Sequence, residues 1–200
     1  DKGQSDGINK GLRMATGDIV AFLNADDIYL ENTLNTVVEY FKDNPDCMWL
    51  TGYCSIIDEN GKQIKKYITK YKNRKLRKFT FEQLLVENCI PQPSTFWRRK
   101  LLNEIGYIDE TLHYSMDQDL WARFAQRYKL YLIPEYLAQF RLTFDTKTGS
   151  SIEKTLNESK MIAKKYSKNR WILLQQQLSN FKKVISYKYL SKLTMKRHSS

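Results

Sequence analysis

Cysteine is scarce in this chain, with three in 200 residues. Cys47, Cys54 and Cys89 are odd in number, lack C-x-x-C spacing and sit in apolar surroundings. This excludes a disulfide scaffold and a zinc ribbon, and leaves buried reduced thiols. No stretch approaches the roughly 18 consecutive apolar residues of a membrane span, and nothing at the N-terminus resembles a secretory signal. The expectation is a cytoplasmic protein, either soluble or held peripherally on the inner face of the membrane. Acid is scarce at the C-terminal end. Residues 151–200 carry ten Lys and two Arg against Glu153 and Glu158, a balance of +10, which leaves +1 of the overall +11 for residues 1–150. The basicity therefore describes a tail and not the body of the protein. A second acid-free run, KKYITKYKNRKLRK at 65–78, holds eight Lys and Arg and reads either as a solvated face or loop, or as a contact for phosphate or anionic lipid.

What is present is enough apolar residue, 42% of the chain, for one sizeable core. Ile8, Leu12 and Ala15 share a helical face over 6–16, and Gly17 stops that helix before an apolar strand, 19–23. Leu34, Val37, Val38 and Phe41 predict a helix over 31–42 with these four inward, ended by Asn44-Pro45. A strand is expected at 47–57, a DENG turn at 58–61 and a further strand at 63–69. Then come a helix at 80–88 capped by Thr80, a short strand at 94–98, a helix at 100–105 closed by Gly106, and a helix at 118–128. Strands at 130–133 and 138–142 complete a mixed α/β sheet with helices on its faces. From Ile152 onward the pattern is helical and basic, so the organisation reads as a body, 1–150, and a tail, 151–200. No internal repeat is visible.

Two acidic groups stand out. FLNADD ends the apolar strand with Asn24, Asp26 and Asp27, where open α/β sheets place ligands. Two adjacent carboxylates there are costly unless a cation or a set of donors offsets them. Alternation aims Asn24 and Asp26 to one side and Asp27 away. Hard oxygen ligands of this kind suit Mg²⁺ or Mn²⁺ shared with a diphosphate; the plain reading is a cap for the next helix. Further on, Asp117 and Asp119 open a helix. One of them reads as a cap, and the other is free to act as a base if it faces a cleft.

The run GQSDGINKGLRMATGDIVAFLNADD, with QPSTFWRRKLL, IGYIDETLHYSMDQDLWARF and FRLT, resembles the inverting family 2 glycosyltransferases, nucleotide-sugar enzymes of GT-A fold that build bacterial surface polysaccharides. The resemblance covers roughly residues 1–150. It implies a GT-A-like mixed sheet flanked by helices. It places the metal and diphosphate motif on Asn24, Asp26 and Asp27, with Asp27 the direct ligand, and the general base on Asp117 beside Met116. Asp119 then falls to capping on the acceptor side. Gln92, Ser94 and Thr95 would lie beside the acceptor or sugar, and Gln4, Asp6, Asn9 and Lys10 would border the nucleotide. The implied partners are a nucleotide-sugar donor, a saccharide or lipid-linked acceptor, and Mg²⁺ or Mn²⁺.

The chain departs from the family pattern in two places. The family's His after the FR pair is replaced by the run Arg141-Leu142-Thr143, and His113 is a lone loop residue that reads as a surface side chain. The family's N-terminal βαβ portion, with its S-x-I-x-P-x-Y-N strand, has no counterpart, so the expectation is a glycosyltransferase lacking that portion, or a catalytically inert scaffold that keeps the fold. A basic nucleic-acid-binding module is the remaining alternative. The charge gathers in one segment and no RNP-like, helix-turn-helix or zinc pattern occurs, so no nucleic-acid partner is expected. The tail mixes Ile152, Leu156, Met161, Ile162, Tyr166, Trp171, Leu173, Leu174, Leu178, Phe181, Val184 and Ile185 with lysines. Such helices either pack on the catalytic domain or hold it to an anionic membrane surface.

Overall fold

The computed structural model describes residues 1–142 and 152–197. Its centre is the strand β3, Trp49–Ile57, all but one of whose residues are buried. A segment this uniformly apolar must have neighbours on both edges and cover on both faces. On one edge β3 pairs antiparallel with β5, Thr95–Arg98, which in turn carries β1, Ile19–Val20. On the other it pairs parallel with β6, Tyr131–Arg141, and β6 carries β2, Ile28–Tyr29. The sheet order is β1-β5-β3-β6-β2, with β4, Gln63–Ile64, hairpinned onto the end of β3 through a turn at Gly61, where φ is 79°. This is the mixed, helix-flanked sheet that the sequence predicts.

Two cores flank it. On one face Trp49, Trp97, Trp121 and Phe124 are fully buried, with Trp49 stacked on Trp121 at 5.8 Å and Trp97 edge-on to Trp121 at 5.6 Å. Against them pack α1 (Gln4–Met14), α4 (Phe81–Val86), α5 (Lys100–Ile105) and α6 (Met116–Ala125). On the other face Val37 and Phe41 of α2, Thr33–Asp43, meet Leu50, Phe96, Ile133 and Leu137. Thr80 caps α4 by accepting from the Gln83 N–H, and Gly106 ends α5 at φ 87°.

Several local expectations are corrected. The strand predicted over 63–69 stops at Ile64, and the basic run is a helix, α3, Lys66–Leu76, whose inner side is Thr69, Asn73 and Leu76. In α2, Leu34 and Val38 are exposed and Thr33 is buried. The helix starts at Thr33 after a left-handed Asn32, which turns the 33/37/41 row inward. The strand expected over 19–23 keeps only two sheet residues, Ile19 and Val20, paired with Arg98 and Trp97; beyond Val20 the chain leaves β5 for the acidic turn. The two strands expected at 130–133 and 138–142 are one, with extra residues around Pro134 absorbed opposite Gly52 and Tyr53. Thr143 and the 150/151 boundary lie outside the described residues.

The tail forms α7, Ile152–Tyr166, and α8, Arg170–Arg197. Ile162 and Ala163 of α7 join the tryptophan-lined core, with Ile172 and Leu173 of α8 against it. Trp171, Leu174, Leu178, Phe181 and Ile185 instead form an exposed apolar row on α8. No helix among the described residues is long and apolar enough to cross a membrane.

β3 and β6 approach so closely that a Cβ on Gly52 would lie 2.4 Å from Leu137 Cγ and 3.1 Å from the Glu135 carbonyl oxygen. Gly52→Ala is expected to lower stability by about 1–3 kcal/mol through overpacking, read as a lower chemical-denaturation midpoint.

Candidate functional site

The chain leaves β1 at Val20 and turns back within a few residues, the Asp27 N–H donating to the Asn24 carbonyl at 3.1 Å. Inside this turn the Asn24 side chain is a junction. Its Oδ1 accepts from Gln4 Nε2 at 3.0 Å, and its Nδ2 donates to Asp27 Oδ2 at 3.1 Å and to Gln92 Oε1 at 3.2 Å. Gln92, at the start of a 3-10 turn running to Ser94, also donates to the Phe22 carbonyl. The structure thus brings together four residues singled out in the sequence: Gln4 from α1, Asn24 and Asp27 from the turn, and Gln92.

Asp26 and Asp27 part company, but not in the grouping that strand alternation predicts: the chain turns here, and Asn24 sides with Asp27 while Asp26 faces out. Asp27 is 7% exposed and has both oxygens engaged, Oδ2 by Asn24 and Oδ1 by the Arg141 backbone N–H at 2.9 Å. Burial pushes its carboxyl up to about 6, against the pull of the Arg141 and Asn24 donors. Asp26 is exposed, and its carboxylate makes no hydrogen bond or ion pair with the described residues. The turn is stapled from outside by Arg141, whose Nε donates to the Asp26 carbonyl at 3.0 Å. Its guanidinium also donates to the carbonyls of Asp58 and Glu59 at 2.8 and 2.9 Å. Arg141 therefore joins the β3–β4 turn to the acidic turn, a role the sequence pattern did not signal.

Asp117 lies in the first turn of α6, half-buried, and accepts from Asn88 Nδ2 at 3.0 Å. Asn88 shapes its own loop by accepting the Ile90 N–H at 3.0 Å, an Asx turn. Burial raises the Asp117 carboxyl above the ordinary aspartate value. The Gln118 N–H, the Asn88 amide and the Lys72 ammonium of α3 oppose that rise. A half-buried carboxylate with a raised pKa is suited to taking a proton. The loop 87–92 is common to both groups: Asn88 holds Asp117, and Gln92 holds Asn24.

The remaining candidates fall elsewhere. Asp119 is neither a helix cap nor turned toward an acceptor. It is fully buried and accepts from Arg123 Nε at 2.9 Å, Lys165 Nζ at 2.8 Å and Tyr166 OH at 2.9 Å. Ser94 and Thr95 are also fully buried, their hydroxyls donating to the carbonyls of Gly52 and Pro91 at 2.9 and 2.8 Å, so they brace the sheet and do not line a surface. Asn9 is buried, donating to the Ile108 carbonyl at 2.9 Å and to Glu110 and accepting the Ile108 N–H at 3.0 Å. Asp6 and Lys10 form a surface ion pair at 2.9 Å, with Asp1 also on Lys10. Met116, at the motif's acidic position, is buried and receives the Ser5 hydroxyl on its sulfur at 2.9 Å, which ties α1 to α6. His113 is exposed, and all three cysteines are free and buried.

No cluster of three His, Cys, Asp or Glu side chains that could hold a metal occurs among the described residues. One unengaged carboxylate, Asp26, is nonetheless the protein share that Mg²⁺ or Mn²⁺ takes when a diphosphate and water complete the shell, so the donor set fits such an ion.

The sequence profile of glycosyl transferase family 2 matches residues 1–106. An uncharacterized glycosyltransferase of Methanocaldococcus jannaschii, MJ1057, is 34% identical over 164 residues, covering 81% of this chain and 55% of its own length. Another from Rickettsia typhi, RT0329, is 26% identical over 185 residues, covering 87% and 56%. The chain spans about half the length of the curated relatives it matches. Among solved structures, S. aureus TarS 1-349 in complex with UDP-GlcNAc superposes with a TM-score of 0.61 at 16% identity, over 90% of this chain and 54% of that one. That likeness bears on the fold and agrees with the GT-A-like sheet. With more than half of its residues matched by the family profile, the chain belongs to glycosyl transferase family 2.

Proposed function

We propose that this protein transfers a sugar from a nucleotide-diphosphate sugar to a hydroxyl acceptor with inversion at the anomeric carbon, in bacterial surface polysaccharide or glycolipid synthesis. The observation that carries the reading is the loop 87–92, which holds Asp117 through Asn88 and the Asn24 junction through Gln92. A transfer reaction needs these two functions side by side, a base for the acceptor and a polar seat for the donor. The nucleotide-sugar donor is further supported by the ligand named for the TarS structure.

In this reading the acceptor hydroxyl loses its proton to the Asp117 carboxylate as its oxygen attacks the anomeric carbon. The nucleotide diphosphate leaves from the opposite face, and no covalent enzyme intermediate forms. Gln4, Asn24 and Gln92 fix the donor side, and Asp27, engaged on both oxygens, holds the turn that presents Asp26. Asp26 rather than Asp27 is then the direct metal ligand. Mg²⁺ or Mn²⁺ at Asp26 would supply positive charge to the departing diphosphate.

Asp26→Asn is expected to weaken Mn²⁺-dependent binding of a UDP-sugar by more than about tenfold in calorimetry while leaving the melting temperature near wild type. Donor affinity that survives the change would remove Asp26 from the metal site.

Asp117→Asn is expected to cut turnover by about 10² to 10⁴-fold with donor affinity retained. Because the base must be ionised and its pKa is raised, wild-type turnover should rise with pH through a value above the ordinary aspartate range. That limb should vanish in Asp117→Asn. Asp119→Asn should keep the limb and lose stability instead, by about 3 kcal/mol, as a buried ion pair does when one partner goes. The reverse pattern would exchange the two roles.

The exposed row Trp171, Leu174, Leu178, Phe181 and Ile185, on an acid-free helix that also carries Arg170 and Lys182, supports docking of the tail on an anionic membrane surface, where a lipid-linked acceptor would be met. Attraction there is up to about 1 kcal/mol per basic residue. Co-sedimentation should occur with phosphatidylglycerol vesicles and weaken in salt. Equal binding to neutral vesicles would refute the electrostatic part.

A further inference from the structure

The loop 87–92 begins at a carboxylate that the transfer reading leaves unused. Glu87 closes α4, its N–H donating to the Gln83 carbonyl at 2.8 Å, and it stands in extended backbone. In an extended chain successive side chains point to opposite sides. Asn88 reaches Asp117, and Glu87 reaches the other way, between α3 and α8. There its carboxylate accepts from Tyr71 OH at 2.8 Å and pairs with Lys75, both of α3, while Lys183 of α8 stands 3.7 Å from its second oxygen.

Only 13% of the Glu87 side chain is exposed, so its charge depends on these partners and not on water. Burial alone would lift its carboxyl, but Lys183, Lys75 and Tyr71 hold it below the ordinary glutamate value. Lys183 in turn is held below the ordinary lysine value by burial, with the Lys72 and Lys75 ammonium groups adding to the effect and Glu87 opposing it. Without that carboxylate, lysines from α3 and α8 would face one another unbalanced. Glu87 therefore ties both helices to the end of α4. Nearby, the Leu84 carbonyl accepts from Gln118 Nε2 of α6 at 2.9 Å, so the end of α4 is also fixed to the helix that carries Asp117.

We infer that Glu87 is a positioning residue for the transfer, anchoring the start of the loop so that the Asn88 side-chain amide meets the Asp117 carboxylate. The inference rests on the reading of Asp117 as the base. Asn88 has little freedom of its own to find that carboxylate. Its Oδ1 is committed to the Ile90 N–H at 3.0 Å, which sets the amide relative to the backbone and aims Nδ2 in one direction. Where Nδ2 stands is then decided by the backbone at 87 and 88. Hydrogen bonds weaken steeply with misalignment, so a small shift there releases Asp117. The cations that face Glu87 are Lys75 and Lys183, and the one that acts on Asp117 is Lys72. Through Lys183, helix α8 of the tail takes part in the anchoring.

Carbon-13 NMR titration of the Asp117 side-chain carboxyl in wild type, E87Q, N88A and the double variant tests this without a substrate. Charge and position predict opposite signs. Removing the negative charge of Glu87 favours the Asp117 carboxylate and would lower its pKa, whereas a displaced Asn88 takes a donor from that carboxylate and raises it. The Asn88 bond acts on Asp117 more strongly than the Lys72 ammonium does. E87Q is therefore expected to raise the value by about half a unit or more, as N88A does. Within N88A, where no amide is left to place, E87Q should produce no rise. Y71F, at a surface tyrosine, removes one donor to Glu87 and no charge. It should move Asp117 the same way by about a few tenths of a unit, and it carries the test if E87Q does not fold. An unchanged or lowered value in folded E87Q, or a rise undiminished in the N88A background, would overturn the inference, as would an unmoved Y71F where E87Q does not fold. Those results leave the transferase reading intact. A D117N protein that turns over like wild type would sink that reading and leave the measured positioning of Asn88 standing.

Discussion

A fully buried carboxylate must find its counter-charges inside the protein, and Asp119 finds them across two helices. Arg123 lies one turn along α6, while Lys165 and Tyr166 come from the end of α7. Losing either side would strand a charge in the core, so the arrangement locks α7 onto α6. The middle of α7 completes the clamp. Glu158 accepts the backbone N–H groups of His113, Tyr114 and Ser115 at 2.8–2.9 Å, the donors that lead into α6. A carboxylate at a helix N-terminus is stabilising on its own account. Here it also fixes the turn that contains Asp117. Asp117, the candidate base, thus follows a turn held by a helix that belongs, by composition, to the basic tail.

At the acidic turn the arrangement depends on an amide where the family pattern has an acid. Asn24 can donate and accept at once, and it does both, taking a proton donor from Gln4 and giving two to Asp27 and Gln92. A carboxylate at position 24 would accept from Gln4 but would face Asp27 Oδ2 and Gln92 Oε1 with no proton to offer. The amide thus removes one repulsion from a turn in which Asp27 is already kept from easy ionisation by burial. The consequence is a lower negative charge around Asp26; in the proposed reaction a cation there would lean more on the diphosphate than on the protein.

The sheet, its helices and the two acidic groups were legible because each leaves a periodic or positional trace. The apolar run at 49–57, Thr80 as a cap and Gly106 as a stop all act locally, within one or two turns of chain. What could not be read is what distant chain supplies. Nothing around Asp119 says that Lys165 and Tyr166 will reach it, and a carboxylate in a first turn reads as a cap until they do. Ser94 and Thr95 next to Gln92 have the look of a polar surface loop, yet the closeness of Pro91 and Gly52 carbonyls lets both hydroxyls be buried with partners. Asn9 was read as a ligand for the same reason: its partner is the backbone of Ile108, 99 residues away. Helix α3 was missed because its buried side is mostly polar, with Thr69 and Asn73 where an apolar pair would have marked the period.

That polar inner face of α3 has a consequence for the charge of the whole site. A helix that packed through leucines would bury its stripe and send every lysine to bulk water. Packing through Thr69 and Asn73 keeps α3 close to Tyr136, and the lysines on either side of that contact are set against the protein surface. Lys72 then works on Asp117, Lys75 on Glu87, and Lys66 and Lys70 on the space beside Gln139. Positive charge around the candidate base is therefore ordered by the helix, at fixed spacing. Its effect on Asp117 opposes that of burial: desolvation favours the neutral acid and Lys72 favours the carboxylate. Burial is the larger effect, so the Asp117 carboxylate is less stabilised than an exposed one and the readier to take a proton, which is what a general base requires.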